Sequence, residues 1–88
     1  MLKKNQIVYY ARIIQTTGIY EVCELKIRTV TDNWFVGVDK RDKHAYLFYE
    51  KDIGKTIYFN RAEALSVVKE AEANKKNKTN EETYYEEY

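Results

Sequence analysis

Hydrophobic and polar residues alternate along much of the chain in the way that β-strands require. The alternation is clearest from Ile19 to Val30, where apolar side chains share one face and charged side chains share the other. These two sets are Cys23, Leu25 and Ile27 on the apolar face, and Glu24, Lys26 and Arg28 on the charged face. The pattern predicts a strand with one buried and one exposed face.

Further strands are predicted on both sides of this one. Residues 6–15 carry apolar side chains at both parities, which is typical of a strand covered on both faces. Shorter strands are predicted at residues 34–38, 45–49 and 56–59, with turns at 16–18, 31–33 and 40–43 and a helical or tight turn at 52–55. Gly37 indicates a bulge or a close approach of two backbones.

A helix is predicted after the last strand. Asn60 is placed to accept hydrogen bonds from the first free backbone amides, and the pattern continues to about residue 76. Its apolar positions recur at helical spacing and form one stripe: Ala64, Leu65, Val67, Val68 and Ala71.

The order of elements predicts a mainly β fold with a C-terminal α-helix, of the α+β class. We expect a small five-stranded SH3-like barrel, or a meander, capped by one helix. Residues 1–76 would form this single domain and residues 77–88 an acidic, tyrosine-rich tail. An 88-residue chain with one cysteine, Cys23, forms no internal disulfide, so packing must stabilise the domain.

The sequence offers little for catalysis. The single histidine, His44, lies beside a charged turn without a recognisable nucleophile, and Cys23 shares its parity with buried residues. The three isolated glycines do not form a phosphate-binding loop. We interpret the carboxylates around the second hairpin as solvated loop charges: Asp39, Asp42, Glu50 and Asp52. We therefore expect no enzymatic activity, no cofactor and no metal.

The hydropathy of the chain predicts its cellular location. The chain has no apolar run of 18 residues, and its first five residues pass too quickly into strand-like alternation for a signal peptide. We expect a cytoplasmic protein of a bacterial host cell.

Charge is divided unevenly along the chain. All 15 Lys and Arg lie in residues 1–78 with ten of the 14 Asp and Glu, whereas residues 79–88 hold four Glu and three Tyr without a basic residue. The first candidate surface consists of basic residues on one strand and one hairpin tip. These residues would bind nucleic acid, with Tyr46 or Tyr49 available to stack bases. Its candidate residues are Lys26, Arg28, Lys40, Arg41 and Lys43.

The acidic tail is the second candidate surface. Carboxylates alternating with aromatic rings can imitate a nucleic-acid strand, and tyrosine is favoured in interface cores. The candidate partner-binding residues are Glu81, Glu82, Tyr84, Tyr85, Glu86, Glu87 and Tyr88. Three alternatives stay open: a solvating terminus, docking on the chain's own domain, and docking on a partner.

Two segments carry a family resemblance. The Trp-Phe-Val-Gly run at 34–37 and the run from Asp52 to Ala64 resemble small uncharacterised proteins of phages and prophages of low-GC Gram-positive bacteria. The resemblance covers most of residues 6–73. It implies an inhibitor or adaptor that binds a host machine. Anti-CRISPR proteins are one such class, and several of them are acidic mimics of DNA. The near-neutral total charge of +1 departs from that pattern.

Our leading hypothesis is therefore a non-enzymatic phage-type inhibitor or adaptor. It would bind a host protein, such as a CRISPR or other defence nuclease or nucleoprotein complex, by surface complementarity and through its acidic aromatic tail. The alternative is a small nucleic-acid-binding barrel. A third hypothesis is a subunit that self-associates through its helix or a sheet edge.

Overall fold

The computed structural model describes the backbone of residues 2–86 and the side chains of residues 2–74. In chain order the elements are β1 (Ile7–Ile14), β2 (Ile19–Val30), β3 (Trp34–Asp39), β4 (Ala45–Tyr49), β5 (Ile57–Tyr58) and α1 (Arg61–Glu86). One 3₁₀ turn, Gln15–Thr17, joins β1 to β2, and another, Glu50–Asp52, follows β4.

The strands form one antiparallel sheet in the order β4-β3-β2-β1-β5, curled into a half-barrel. This confirms the predicted mainly β fold with a C-terminal helix. Because successive strands are antiparallel, the β1–β2 and β3–β4 turns lie at one end of the sheet, called here the β3–β4 end. The β2–β3 turn and the 3₁₀ turn after β4 lie at the opposite end, called the β2–β3 end.

Two apolar clusters lie on opposite faces of the sheet. The inner cluster fills the concave side of the half-barrel, and its buried members are Leu2, Val8, Cys23, Leu25, Ile27, Phe35, Phe48 and Ile57. The outer cluster lies between the sheet and α1, and its buried members are Ala11, Tyr58, Ala64 and Val68. Since β1 contributes to both clusters, the prediction that it is covered on both faces is confirmed.

Strand β2 has the predicted parity, because Cys23, Leu25 and Ile27 are all buried in the inner cluster. At Gly37 the close approach is made by a side chain and not by a second backbone: a Cβ atom there would lie 3.1 Å from both Cβ and Cδ1 of Leu25. The β-bulge is not at Gly37 but in β2, the strand that pairs with β3. The register shifts between Ile27 and Thr29 and leaves Arg28 as the extra residue.

The start of α1 is capped as predicted, with the Ala62 backbone N–H donating to Asn60 Oδ1 at 2.7 Å. Ala64 and Val68 are buried one helical turn apart. Leu65, however, is 41% exposed, so its place in the predicted buried stripe is wrong. It follows Ala64 directly, and one residue rotates a side chain by about 100° around the helix axis, away from the sheet. The last assigned residue of α1 is Glu86, beyond the end predicted near residue 76.

Candidate functional site

The predicted basic surface is divided between the two faces of the sheet. On the outer face, Lys40 Nζ lies 2.8 Å from a carboxylate oxygen of Glu24, and Arg61 Nη1 lies 3.8 Å from the other. On the inner side, Arg41 Nη2 lies 3.5 Å from both Glu21 and Asp39. Lys40 and Arg41 are therefore neighbours in sequence that contact acidic partners on opposite faces.

The other three predicted cations, Lys26, Arg28 and Lys43, are exposed. None of the three takes part in an ion pair with another residue in the described range 2–74. Lys43 lies in the β3–β4 turn with a left-handed φ of 62°. Among residues 2–74, therefore, two cations on β2 and one on the turn have no acidic partner.

The tyrosines proposed to stack bases have different environments. Tyr46 is partly buried and turns inward, with its ring centroid 5.3 Å from that of Tyr10 and 4.7 Å from the imidazole of His44. Tyr49 is 52% exposed, and Lys51 Nζ lies 5.9 Å from its ring centroid. Of this pair, Tyr49 is the more exposed, with Lys51 over its ring.

A network of charges occupies the inner side of the β3–β4 end. Asp39 is 1% exposed, so its interpretation as a solvated loop charge is wrong. The Arg41 backbone N–H donates to Asp39 Oδ1 at 2.8 Å, and the Arg41 guanidinium lies beside Oδ2. A second pair joins Arg12 Nη1 to Glu21 Oε2 at 2.8 Å. Strand pairing places Arg12 opposite Glu21, and the Arg41 guanidinium links Glu21 to Asp39.

The protonation of this network follows from its contacts. Burial by itself raises the pKa of Asp39, but the Arg41 backbone N–H and guanidinium outweigh burial, and the net pKa is lowered. A hydrogen bond from Arg12 lowers the pKa of Glu21. Burial, followed by the charges of Glu21 and Asp39, raises the pKa of Cys23 to about 11. The carboxylates are therefore held ionised and the thiol protonated, which is the reverse of a reactive cysteine site.

The β2–β3 end has an open cleft with a volume of about 550 Å³. Apolar side chains make most of its wall, and two of them are substantially exposed: Phe59 at 50% and Val30 at 37%. Its full lining is Leu2, Val30, Thr31, Asp32, Trp34, Phe35, Glu50, Ile53 and Phe59. The cleft thus combines apolar walls with two carboxylates.

A third surface is the outer face of β4, which lies at an edge of the sheet. Leu47 is 53% exposed beside Tyr49, and β4 has no charged residue. The backbone N–H of Tyr49 donates to Asp52 Oδ2 at 2.9 Å, so one outward-facing group of this edge is already bound. The helix packs on the same outer face but at the other side of the sheet, against β1, β2 and β5.

The predicted tail residues Glu81 to Tyr88 lie outside the residues whose side chains the structure describes. Their proposed contacts stay predictions. Conversely, sequence reasoning missed the cleft residues Val30, Asp32 and Phe59. The sequence did carry a signal: the large apolar residues Val30 and Phe59 border the turns at the ends of β2 and β5. The alternation of buried and exposed positions within the strands does not account for them there.

No family model, curated protein or solved structure matches this chain. Within the part that the structure describes, no helix is long and apolar enough to cross a membrane. Likewise, residues 2–74 contain no cluster of three or more His, Cys, Asp or Glu side chains arranged to hold a metal ion.

Proposed function

We propose that this protein is a non-enzymatic binding module, an inhibitor or adaptor of the phage type, that docks on a host protein through the exposed side chains on the outer face of β4. The observation that carries the proposal is the exposure of Leu47 and Tyr49, both more than half accessible, on a sheet edge without charge. Exposed edges of this kind are normally protected by charged residues, since they pair readily with other chains.

The composition of this surface suits a protein partner. Tyrosine and large aliphatic side chains are characteristic of interface cores, where they bury much area with few rotatable bonds. Leu47 lies opposite Val36 on the neighbouring strand, and Tyr49 lies opposite Trp34. Because Val36 is buried and Trp34 is only partly exposed, the exposed apolar surface is centred on the edge strand β4.

The interior groups support binding rather than turnover. Cys23 is buried and keeps its proton, and the charge of Asp39 is bound by Arg41. Both groups stabilise the fold through these contacts. The partner that we propose is a host nuclease or nucleoprotein complex of a defence system, as the phage-protein resemblance implies.

The decisive test compares two leucines of similar exposure on different faces. Leu47→Lys places a charge on the β4 surface, and Leu65→Lys places the same charge on α1, where Leu65 is 41% exposed. We expect host proteins captured by the wild type to be retained by Leu65→Lys and lost with Leu47→Lys, as measured by affinity capture and quantitative mass spectrometry. Equal capture by the two variants would exclude the β4 surface.

The contribution of the acidic tail is tested separately by deleting residues 79–88. The proposal expects weaker capture, because the tail supplies four carboxylates and three aromatic rings to the contact. Unchanged capture would remove the tail from the mechanism and leave the β4 surface as the only proposed contact.

The exposed cations Lys26 and Arg28 favour one alternative, a nucleic-acid-binding barrel. Titration with single- and double-stranded DNA and RNA at low and physiological salt distinguishes the two functions, since phosphate contacts weaken steeply as salt rises. Binding that depends on salt and is lost in a Lys26→Ala, Arg28→Ala double variant would favour the alternative.

A further inference from the structure

We infer that the cleft at the β2–β3 end is a binding site for an extended peptide segment that presents a lysine or arginine next to an apolar side chain. The inference rests on the proposed protein-binding function and adds a second contact to it. The cleft and the β4 surface adjoin at Trp34, which lines the cleft and lies opposite Tyr49. They are therefore tested through residues that only one of them contains, Leu47 for the β4 surface and Phe59 for the cleft.

The apolar part of the site comes from residues that the fold leaves uncovered. Phe59 follows β5 immediately before the helix cap, and half of its surface is exposed. Val30 ends β2 with 37% of its surface exposed. Leu2 lies at the base of the cleft and belongs to the inner cluster. A volume of about 550 Å³ lies within the usual range of ligand-binding clefts and admits more than one side chain.

The charge of the lining selects a cationic ligand. Of the side chains that the structure describes, Asp32 and Glu50 are the ionisable ones that line the cleft, and both are acidic. Neither forms an ion pair with another residue of the described range 2–74. The negative charge of the cleft attracts a lysine or arginine and repels an acidic ligand. Trp34, on the same wall, offers a ring face that also attracts cations.

The wall of the cleft is held in place before any ligand binds. Thr31 closes the β2–β3 turn: its hydroxyl donates to the Trp34 carbonyl at 2.9 Å and accepts the Trp34 backbone N–H at 3.0 Å. The Glu50 backbone N–H donates to the Asn33 carbonyl at 3.0 Å and ties the 3₁₀ turn to the β2–β3 turn. A preformed site loses less conformational freedom on binding.

Trp34 gives a direct readout, because it is the only tryptophan in the chain and lines the cleft. The probe is a short capped peptide with a repeating leucine–arginine pattern, titrated into the full-length protein while Trp34 emission is recorded. Two peptides of equal length serve as comparisons, one with glutamate in place of arginine and one with serine in place of leucine. We expect a saturable change in emission only with the leucine–arginine peptide.

Two variants assign the response to the cleft. Asp32→Asn with Glu50→Gln should weaken binding about tenfold, as expected for losing two partly exposed charge pairs. The matched control, Glu70→Gln with Glu72→Gln, removes the same charge from exposed positions on α1 and should leave the affinity unchanged. Phe59→Ser tests the apolar contact and should abolish saturation.

Each contrary result overturns the inference in a recognisable way. Equal responses to the arginine and glutamate peptides would exclude charge selection. An emission change that follows protein concentration without peptide would assign the cleft to a second copy of this chain. Absence of any saturable response would exclude a peptide site. Since Leu47 does not line the cleft, loss of host-protein capture in Leu47→Lys would still support the proposed function in all three cases.

Discussion

Both ends of the half-barrel carry carboxylate side chains, but they differ in whether a cation lies beside the carboxylate among residues 2–74. At the β3–β4 end, the carboxylates of Glu21 and Asp39 each contact an arginine. At the β2–β3 end, Asp32 and Glu50 line an apolar cleft without such a partner among the described residues 2–74. A carboxylate that already has its cation stabilises the fold, whereas one without a cation is available to a ligand.

This difference predicts separate effects on the stability of the fold and on ligand binding. Removing a charge from the β3–β4 end should expose an unpaired partner and weaken the fold. Removing a charge from the β2–β3 end should leave the fold intact and affect only what the cleft binds. The following predictions test this contrast, beginning with the inner cluster that both ends share.

Leu25→Ala should have the largest effect on stability. Leu25 is completely buried, contacts Gly37 and is opposite Asp39, so its truncation leaves a cavity beneath the β3–β4 end. We expect a loss of about 2–5 kcal/mol in the free energy of unfolding, measured by urea denaturation. Leu65→Ala is the matched control, since the exposed leucine should cost less than about 0.5 kcal/mol. Equal midpoints for Leu25→Ala and wild type would contradict the observed strand parity.

Asp39→Ala should have the next largest effect. The substitution removes the acceptor of the Arg41 backbone N–H from a buried site and leaves the guanidinium with its contacts to Glu21 and to the Cys23 sulfur. Hydrogen bonds to a buried charge contribute about 1.5–3 kcal/mol each, so we expect a loss of about 2–3 kcal/mol. Asp42→Ala in the same turn is the control, because Asp42 is exposed and its side chain also accepts a backbone hydrogen bond, from the His44 N–H at 2.9 Å. A loss no greater than that of the control would place Asp39 outside the stabilising network.

Acid should weaken the β3–β4 end selectively. The folded-state pKa of Asp39 is below its unfolded value, so its stabilising contribution is complete above the unfolded pKa, near 4, and disappears as the pH falls through the folded pKa. We therefore expect the stability difference between wild type and Asp39→Asn to shrink below about pH 4. Urea midpoints measured across acid pH test this, with Glu70→Gln correcting for the change in net charge. A difference that stays constant with pH would show that Asp39 acts without its charge.

Much of the fold could be predicted because local rules and tertiary structure agree. The parity of β2, the two covered faces of β1 and the Asn60 cap follow from alternation and capping chemistry. Leu65 shows the limit of such reasoning. Its helical spacing is compatible with the apolar stripe, but Ala64 and Val68 define the line of contact with the sheet.

The candidate sites could not be predicted in the same way. Asp39 looks like one more charge at a polar hairpin tip, and only the register that sets it opposite Leu25 shows that it is buried. The cleft joins Asp32 to Phe59, residues separated by three strands and a 3₁₀ turn. Sequence separation of this size carries no local signal, so contacts of this type appear only when the curvature of the sheet is known.

The smallest effect on stability is expected for Asp32→Asn combined with Glu50→Gln. Neither carboxylate has a cationic partner among residues 2–74, so neutralising both removes no ion pair and relieves any repulsion between them. We expect the free energy of unfolding to change by less than about 0.5 kcal/mol, in either direction. Urea denaturation at neutral pH measures this, and the Asp39→Ala variant provides the contrasting value. A loss comparable to that of Asp39→Ala would mean that the cleft carboxylates stabilise the fold. The carboxylates at the two ends would then have the same role.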